Sequence, residues 1–321
     1  MADILGLGEL LIDFTPNGFN EQGMALYARN PGGSIPNMLA MYAKLGGRAA
    51  FVGKVGPDAF GDFLIQQLEQ GGVDASGVLR DRKVLTTLAI VSLLESGDRA
   101  FHFYRKPGAD ILLTEAELPL GAIAAAPQFH FAGVSLTDEP SRSATFAAAR
   151  HARESGCFIS FDCNHRASLW DSEQEAKEVL PQALPLADIV KVSDEELALL
   201  TGQTDIHAGA QAILGQGPSA LLVSQGELGS SVFTHAFSVS RPACSVTVVD
   251  TTGCGDAFLG SILHELHRTG KPLAAVTEGE WEYLLDFGNA AGGLTATKRG
   301  GIPALPERRD IEALLATQRI S

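Results

Sequence analysis

An α/β chain with a mainly parallel central sheet and a small separate β-sheet is the fold class this sequence predicts. Two patterns carry the prediction. From about residue 128 onward, short apolar runs alternate with amphipathic helical segments, the signature of a parallel sheet with helices on both sides. Before that, two strand-like runs flank a polar turn, a hairpin signal inside an otherwise α/β chain.

The runs at 128–134, 157–162, 188–192, 220–224 and 245–249 are nearly continuous in apolar residues. Strands buried on both faces have that composition. Between them, 141–154, 195–201, 207–214 and 256–268 follow helical periodicity. In the N-terminal third, 4–14 reads as a strand, and 35–45 and 59–69 read as helices. Phe60, Phe63, Leu64 and Leu68 share one face of the latter. The hairpin pairs 86–94 with 99–104 across Glu95-Ser-Gly-Asp98. A small sheet of this kind suits a lid over a site at the ends of parallel strands. With no linker, repeat or low-complexity tract, the expectation is one domain over 1–321, its lid formed from about 12–32 and 84–110.

Composition bounds the function. The 321 residues are 45% hydrophobic and 19% charged, a globular balance. The formal charge of −14, from 38 acidic and 24 basic side chains, argues against nucleic acid as a partner. The four cysteines form no Cys-x-x-Cys pair, so neither a zinc ribbon nor a redox motif is visible, and so few in a chain this size suit a reducing cytoplasm. Acids near the N-terminus and the lack of a long apolar run predict a soluble cytoplasmic protein without a membrane partner.

The segment richest in chemistry is Val248-Val-Asp-Thr-Thr-Gly-Cys-Gly-Asp-Ala-Phe258. It reads as a strand end, a Gly-rich turn and a helix start near Gly255. Gly253, Cys254 and Gly255 would offer backbone N–H groups and a helix dipole to an anion. A carboxylate at Asp256, on the edge of that cradle, can take a proton from an attacking hydroxyl. The plainer reading of Asp256 is a helix N-cap. The flanking glycines favour chemistry. Asn30-Pro-Gly-Gly-Ser-Ile-Pro-Asn37 opens a second helix, and taken locally is better read as a loop and cap. Asp13, after an apolar run, is either a hydroxyl-binding strand-end carboxylate or a turn residue.

Other motifs fail. Gly6-Leu-Gly8 has Leu11 at the third glycine position of a dinucleotide fingerprint, which counts against a nicotinamide dehydrogenase. Gly53-Lys54 is followed by Val55, so it is no P-loop. His264-Glu-Leu-His267 lacks the spacing of a zinc-protease helix, and its histidines read as solvated. There is no nucleophile elbow.

Taken together, Gly8-Glu-Leu-Leu-Ile-Asp-Phe14, Gly32-Gly-Ser-Ile-Pro-Asn37, Phe51-Val-Gly-Lys-Val-Gly56, Phe103-Tyr-Arg-Lys-Pro-Gly-Ala-Asp110, Phe161-Asp-Cys-Asn-His-Arg166, Lys191-Val-Ser-Asp-Glu-Glu196, the 250–258 turn and 298–306 resemble the ribokinase-like (PfkB) carbohydrate kinases, and among them the fructokinases. The resemblance spans almost the whole chain. It implies a three-layer sandwich with a β lid, and phosphoryl transfer from ATP to a sugar hydroxyl, D-fructose giving fructose 6-phosphate. Asp256 would be the base, and Gly253, Cys254 and Gly255 the anion hole. Asp13, Gly32, Gly33, Asn37 and Arg105 would bind the sugar. Asn164, Lys191, Ser193 and Glu196 would lie near the triphosphate and its Mg²⁺, with Glu196 reaching the metal indirectly. Ser224, Gly226, Gly229 and Asn289 would border the nucleotide. Asp250, Thr252 and Gly300 resemble a monovalent-cation site for K⁺, and the lid is a surface for a homodimer. Cys254, Ser193 and Cys163 depart from the family's usual Ala, Asn and Pro.

Three alternatives share the fold. Phe161-Asp-Cys-Asn-His-Arg-Ala-Ser-Leu-Trp170 also resembles 2-keto-3-deoxygluconate kinases. Val134-Ser-Leu-Thr-Asp138 and Pro107-Gly-Ala-Asp110 resemble aminoimidazole riboside kinases, and ribose is a further acceptor. The alternative of another class is a non-catalytic sugar-binding protein, which has no need of the Gly-x-Gly-Asp turn.

Overall fold

The computed structural model describes residues 1–93 and 99–318. Its strands are β1 (Ile4–Leu7), β2 (Leu11–Phe19), β3 (Ala25–Gly32), β4 (Ala49–Val55), β5 (Val73–Arg80), β6 (Leu88–Leu93), β7 (Arg99–Tyr104), β8 (Gln128–Ala132), β9 (Phe158–Asp162), β10 (Ile189–Ser193), β11 (Ala220–Ser224), β12 (Ser230–Thr234) and β13 (Ser238–Arg241). Its α-helices are α1 (Ser34–Lys44), α2 (Ala59–Gln70), α3 (Leu120–Ala125), α4 (Ser141–Glu154), α5 (Glu173–Val179), α6 (Asp194–Thr201), α7 (Ile206–Leu214), α8 (Cys254–Thr269), α9 (Glu278–Ala296) and α10 (Arg308–Gln318).

The larger sheet runs β13-β12-β11-β10-β9-β8-β1-β4-β5. Pairs from β11 through to β5 are parallel, and β12 and β13 close one edge as an antiparallel hairpin. Alternate side chains enter two cores. Ile4, Ile189 and Leu222 pack with α1, α2, α8, α9 and α10, whereas Leu5, Val190 and Leu221 pack with α3 to α7. Three layers result, as the fold class predicts. The smaller sheet has the order β3-β2-β6-β7. Its β2–β6 pair is parallel and the other two pairs are antiparallel. The turn expected at Glu95–Asp98 lies outside the described residues.

Three expectations need correction. The single strand over 4–14 is two strands in different sheets, broken at Gly8-Glu-Leu10 where the chain leaves the large sheet. Residues 245–249 form no strand. The β12–β13 hairpin already closes that edge, and the N–H groups of Val249 and Asp250 donate to Ala296 O at the end of α9. Val248 is left 60% exposed. His264, expected in solvent, is buried at the back of α8, edge-on to Tyr42. Its Nδ1 lies 2.9 Å from Glu265 Oε1, and Glu265 also pairs with Arg268 and with Arg308 of α10.

Candidate active site

Helix α8 starts at Cys254, one residue before the expected start near Gly255. Its N-cap is Gly253, held at φ 79°, a left-handed conformation that costs an L side chain strain. Asp256 therefore sits in the first turn and is not the cap. The N–H of Cys254 donates to Thr251 O at 3.3 Å. The amides of Gly255 and Asp256 follow in the turn where a helix has no acceptors of its own. Helix α1 crosses α8 at Gly260, whose missing Cβ lets the Met38 carbonyl lie against the backbone. That crossing brings Asn37 to Asp256, and Asn37 Nδ2 donates to Asp256 Oδ2 at 2.8 Å. The local cap reading of Asn37 misses this pairing.

Both residues line a cleft of about 720 Å³, together with Glu9, Asp13, Asn164, Arg166, Lys191 and the 248–253 turn. Asp13 lies within β2 opposite Asn30, not at a strand's end, and Gly32 is packed directly against its carboxylate. Burial pushes the Asp256 carboxyl up to about 7. The Asp162 charge adds to the rise, and the Asn37 hydrogen bond, Lys191 and Arg166 oppose it. Burial likewise raises Asp13 to about 7, with Arg166 opposing and Asp256, Glu9 and Asp250 adding. Lys191 is buried on β10 with its Nζ 3.1 Å from Asp162 Oδ1 on β9. Burial alone would lower its pKa, but Asp162, Glu196 and Asp256 outweigh burial and raise it.

Ser193 and Glu196 form the capping box of α6. Ser193 Oγ accepts from Glu196 N at 3.1 Å, and Glu196 Oε2 accepts from Ser193 N at 2.7 Å. Glu196 Oε1 accepts from His165 N at 2.7 Å. Both carboxylate oxygens thus bind backbone, and they hold the loop in which Asn164 adopts φ 38°. Asn164 Oδ1 in that loop is buried without a hydrogen-bond partner among the described residues.

The expected cation-site residues do meet. Asp250 Oδ1 accepts from Thr252 N at 2.8 Å and Oδ2 from Gly300 N at 3.0 Å, which ties the turn before α8 to the 297–301 loop. Among the described residues, no cluster of three His, Cys, Asp or Glu side chains is placed to hold a metal.

Arg105 differs most from expectation. It does not line the cleft. Its Nε donates to Asp110 Oδ2 at 2.7 Å, one terminal nitrogen to Thr137 Oγ1 at 2.7 Å and the other to Val134 O at 3.2 Å. Asp110 in turn accepts from Thr87 Oγ1, so Arg105 anchors the small sheet to the body. Ser224, Gly226, Gly229 and Asn289 also fall outside the residues lining the cleft. Asn289 accepts from Ser230 Oγ at 2.8 Å and donates to Pro242 O at 3.0 Å, holding the loop after β13.

Glu9, Asp162 and Arg166 were missed by the sequence reading. A charge inside an apolar strand run signals a buried partner, and Asp162 and Lys191 occupy facing register positions of β9 and β10. No helix among the described residues is long and apolar enough to cross a membrane.

Comparison with known proteins agrees with this architecture. The family model described as pfkB family carbohydrate kinase matches residues 1–308. Fructokinase-2 of Zea mays is 42% identical over 316 residues, covering 98% of this chain and 94% of the relative. The crystal structure of the Xylella fastidiosa fructokinase with bound ATP superposes with a TM-score of 0.91 at 31% identity, covering 99% and 100% of the two chains. That of the Vibrio cholerae O395 fructokinase, in fructose, ADP and calcium ion bound form, gives 0.87 at 34% identity, covering 98% and 99%. With 308 of its 321 residues inside the family match, this chain belongs to the pfkB family of carbohydrate kinases.

Proposed function

We propose that this chain is an ATP-dependent fructokinase that transfers the γ-phosphoryl group of ATP to a hydroxyl of D-fructose, forming fructose 6-phosphate. The observation that carries the reading is Asp256: a buried carboxylate in the first turn of a Gly-capped helix, oriented by Asn37 and raised by burial to about 7. As the sugar oxygen bonds to phosphorus, Asp256 takes its proton and the bond to the ADP oxygen breaks. The first-turn amides of α8 and the ammonium of Lys191 meet negative charge on the moving phosphoryl. Asp13 and Asn37 hold sugar hydroxyls beside Asp256; the missing Cβ of Gly32 makes room for the Asp13 carboxylate, and Gly33 brings backbone to the cleft. The exposed Val248 and Val249 offer an apolar wall to the nucleotide.

Mg²⁺ fits as an ion carried mainly by the triphosphate, since Mg²⁺ needs few protein ligands. Asn164 Oδ1 and the exposed Glu195 are oxygen donors on the cleft, whereas Glu196 is committed to its capping box. When bound, the ion neutralises charge on the phosphates. The Asp250 carboxylate, which accepts from Thr252 N and Gly300 N, is an anionic oxygen donor of the kind that suits a monovalent cation such as K⁺. The small sheet serves as the lid over the cleft, and its exposed Phe19, Met24, Leu26 and Tyr27 suit a second copy of the chain. Sedimentation of the wild type against Phe19→Ser separates dimer from monomer.

The neutral acceptor is favoured over a sugar acid because Asp13 and Asp256 line the cleft and offset the charge of Arg166, and Arg105 is spent on Asp110, Thr137 and Val134. A coupled assay of ADP release with fructose, ribose, 2-keto-3-deoxygluconate and aminoimidazole riboside tests the reading. Fructose is expected to give the highest kcat/KM. Higher kcat/KM with another acceptor would reassign the substrate, and no sugar-dependent ADP would leave a binding protein.

A further inference from the structure

Glu9 follows β1 and turns the chain toward the small sheet. It is 3% exposed, yet it lines the cleft beside Asp13 and Asn37. Its two oxygens are used very differently. Oε1 accepts from Ser34 N at 2.5 Å and from Ser34 Oγ at 2.7 Å. Oε2 is buried with no hydrogen-bond partner among the described residues. A buried carboxylate oxygen without a donor is costly, so a donor from outside the chain is the natural complement.

We propose that Glu9 is a specificity-determining sugar ligand: its Oε2 accepts a hydrogen bond from a hydroxyl of the acceptor, and its charge disfavours acceptors that carry a carboxylate. The inference rests on the kinase reading above. Glu9, Asp13 and Asp256 share one cleft, and the charges of Glu9 and Asp256 both act on Asp13. A neutral polyol brings donors to this group, whereas a sugar acid brings one more negative charge. Burial raises the Glu9 carboxyl, hydrogen bonds from Ser34 and from its own backbone and the distant Arg105 charge oppose the rise, and Arg105's own hydrogen bonds go to Asp110, Thr137 and Val134. Arg166 also lines the cleft and is the cation that could instead welcome a sugar acid.

A purely structural Glu9 would act through Ser34, at the start of the helix that carries Asn37. Ser34→Ala therefore separates the two roles. Steady-state kinetics of the full chain would compare wild type, E9Q and S34A with fructose and with 2-keto-3-deoxygluconate. E9Q keeps the size of the side chain and removes its charge. It is expected to raise the fructose KM ~10–100-fold, the size of one charge-assisted hydrogen bond, with the ATP KM within about twofold. The fructose-to-ketodeoxygluconate ratio of kcat/KM should fall roughly tenfold in E9Q and stay at the wild-type value in S34A. An unchanged fructose KM in E9Q would overturn the proposal, as would S34A reproducing the loss of selectivity. Equal use of both acceptors by the wild type would overturn it without any variant, even should E9Q fail to fold. Absence of ADP release with every sugar is a separate outcome that removes the kinase reading and this inference with it.

Discussion

The residues around Asp256 and the Ser193–Glu196 capping box of α6 meet the same cleft but spend their polar atoms in opposite ways. Around Asp256, Glu9 Oε2 and Asn37 Oδ1 are buried without hydrogen-bond partners among the described residues, and two carboxyls are pushed up to about 7. In the α6 capping box, Ser193 and Glu196 are satisfied by backbone, and they fix the loop in which Asn164 Oδ1 is itself unpartnered among the described residues. Farther off, Asn289 ties down the loop after β13. Unmet hydrogen-bonding capacity marks where a ligand's own donors are needed. Satisfied capacity marks scaffolding, which presents a ligand with backbone and shape. The same residue types can thus be signatures of one family and still do different physical work.

The contrast can be broken by substitution. Asp256→Ala should cost about 10²–10⁴-fold in kcat, the range for a general base, with ATP affinity by calorimetry unchanged. Near-normal turnover would remove Asp256 from the chemistry. Arg105→Ala should act on stability: it leaves Asp110 buried and unpaired and should cost about 3–5 kcal/mol in denaturant unfolding. If the protein keeps its stability and loses only fructose affinity, Arg105 is a substrate ligand after all. Asn37→Ala should lower kcat roughly tenfold, the effect of one hydrogen bond to a charged group. Ser193→Ala should cost about 0.5–2 kcal/mol of stability through loss of the cap. A kcat loss comparable to that of Asp256→Ala would place Ser193 with the chemistry and collapse the distinction.

Much of the architecture was legible because it is local. Helix α4 and strand β11 fall where periodicity places them. The misread segments are those in which tertiary context overrides pattern. Residues 245–249 have strand composition, but a hairpin had already closed the sheet edge. Residues 4–14 have one continuous apolar pattern yet serve two sheets. At the site, Asp256 was legible from its glycines and helix start. Its bond to Asn37 was not, because it spans 219 positions and depends on the α1–α8 crossing at Gly260. Glu9 was hidden for a similar reason: only the fold reveals that one of its oxygens is used and the other is not.

The central claim is that Asp256 works as a carboxylate whose proton affinity is raised by burial and the Asp162 charge and lowered by Asn37. Its pH dependence tests this most directly. A base must be ionised to act, and burial raises Asp256 to about 7. The kcat/KM for fructose, which reports the free enzyme, should therefore rise with pH through about 7, coupled to the neighbouring Asp13. The Asn37 hydrogen bond favours the ionised form, so Asn37→Ala should move that limb to higher pH. A kcat/KM that is flat between about pH 5.5 and 8, or a limb that moves down in Asn37→Ala, would contradict the account.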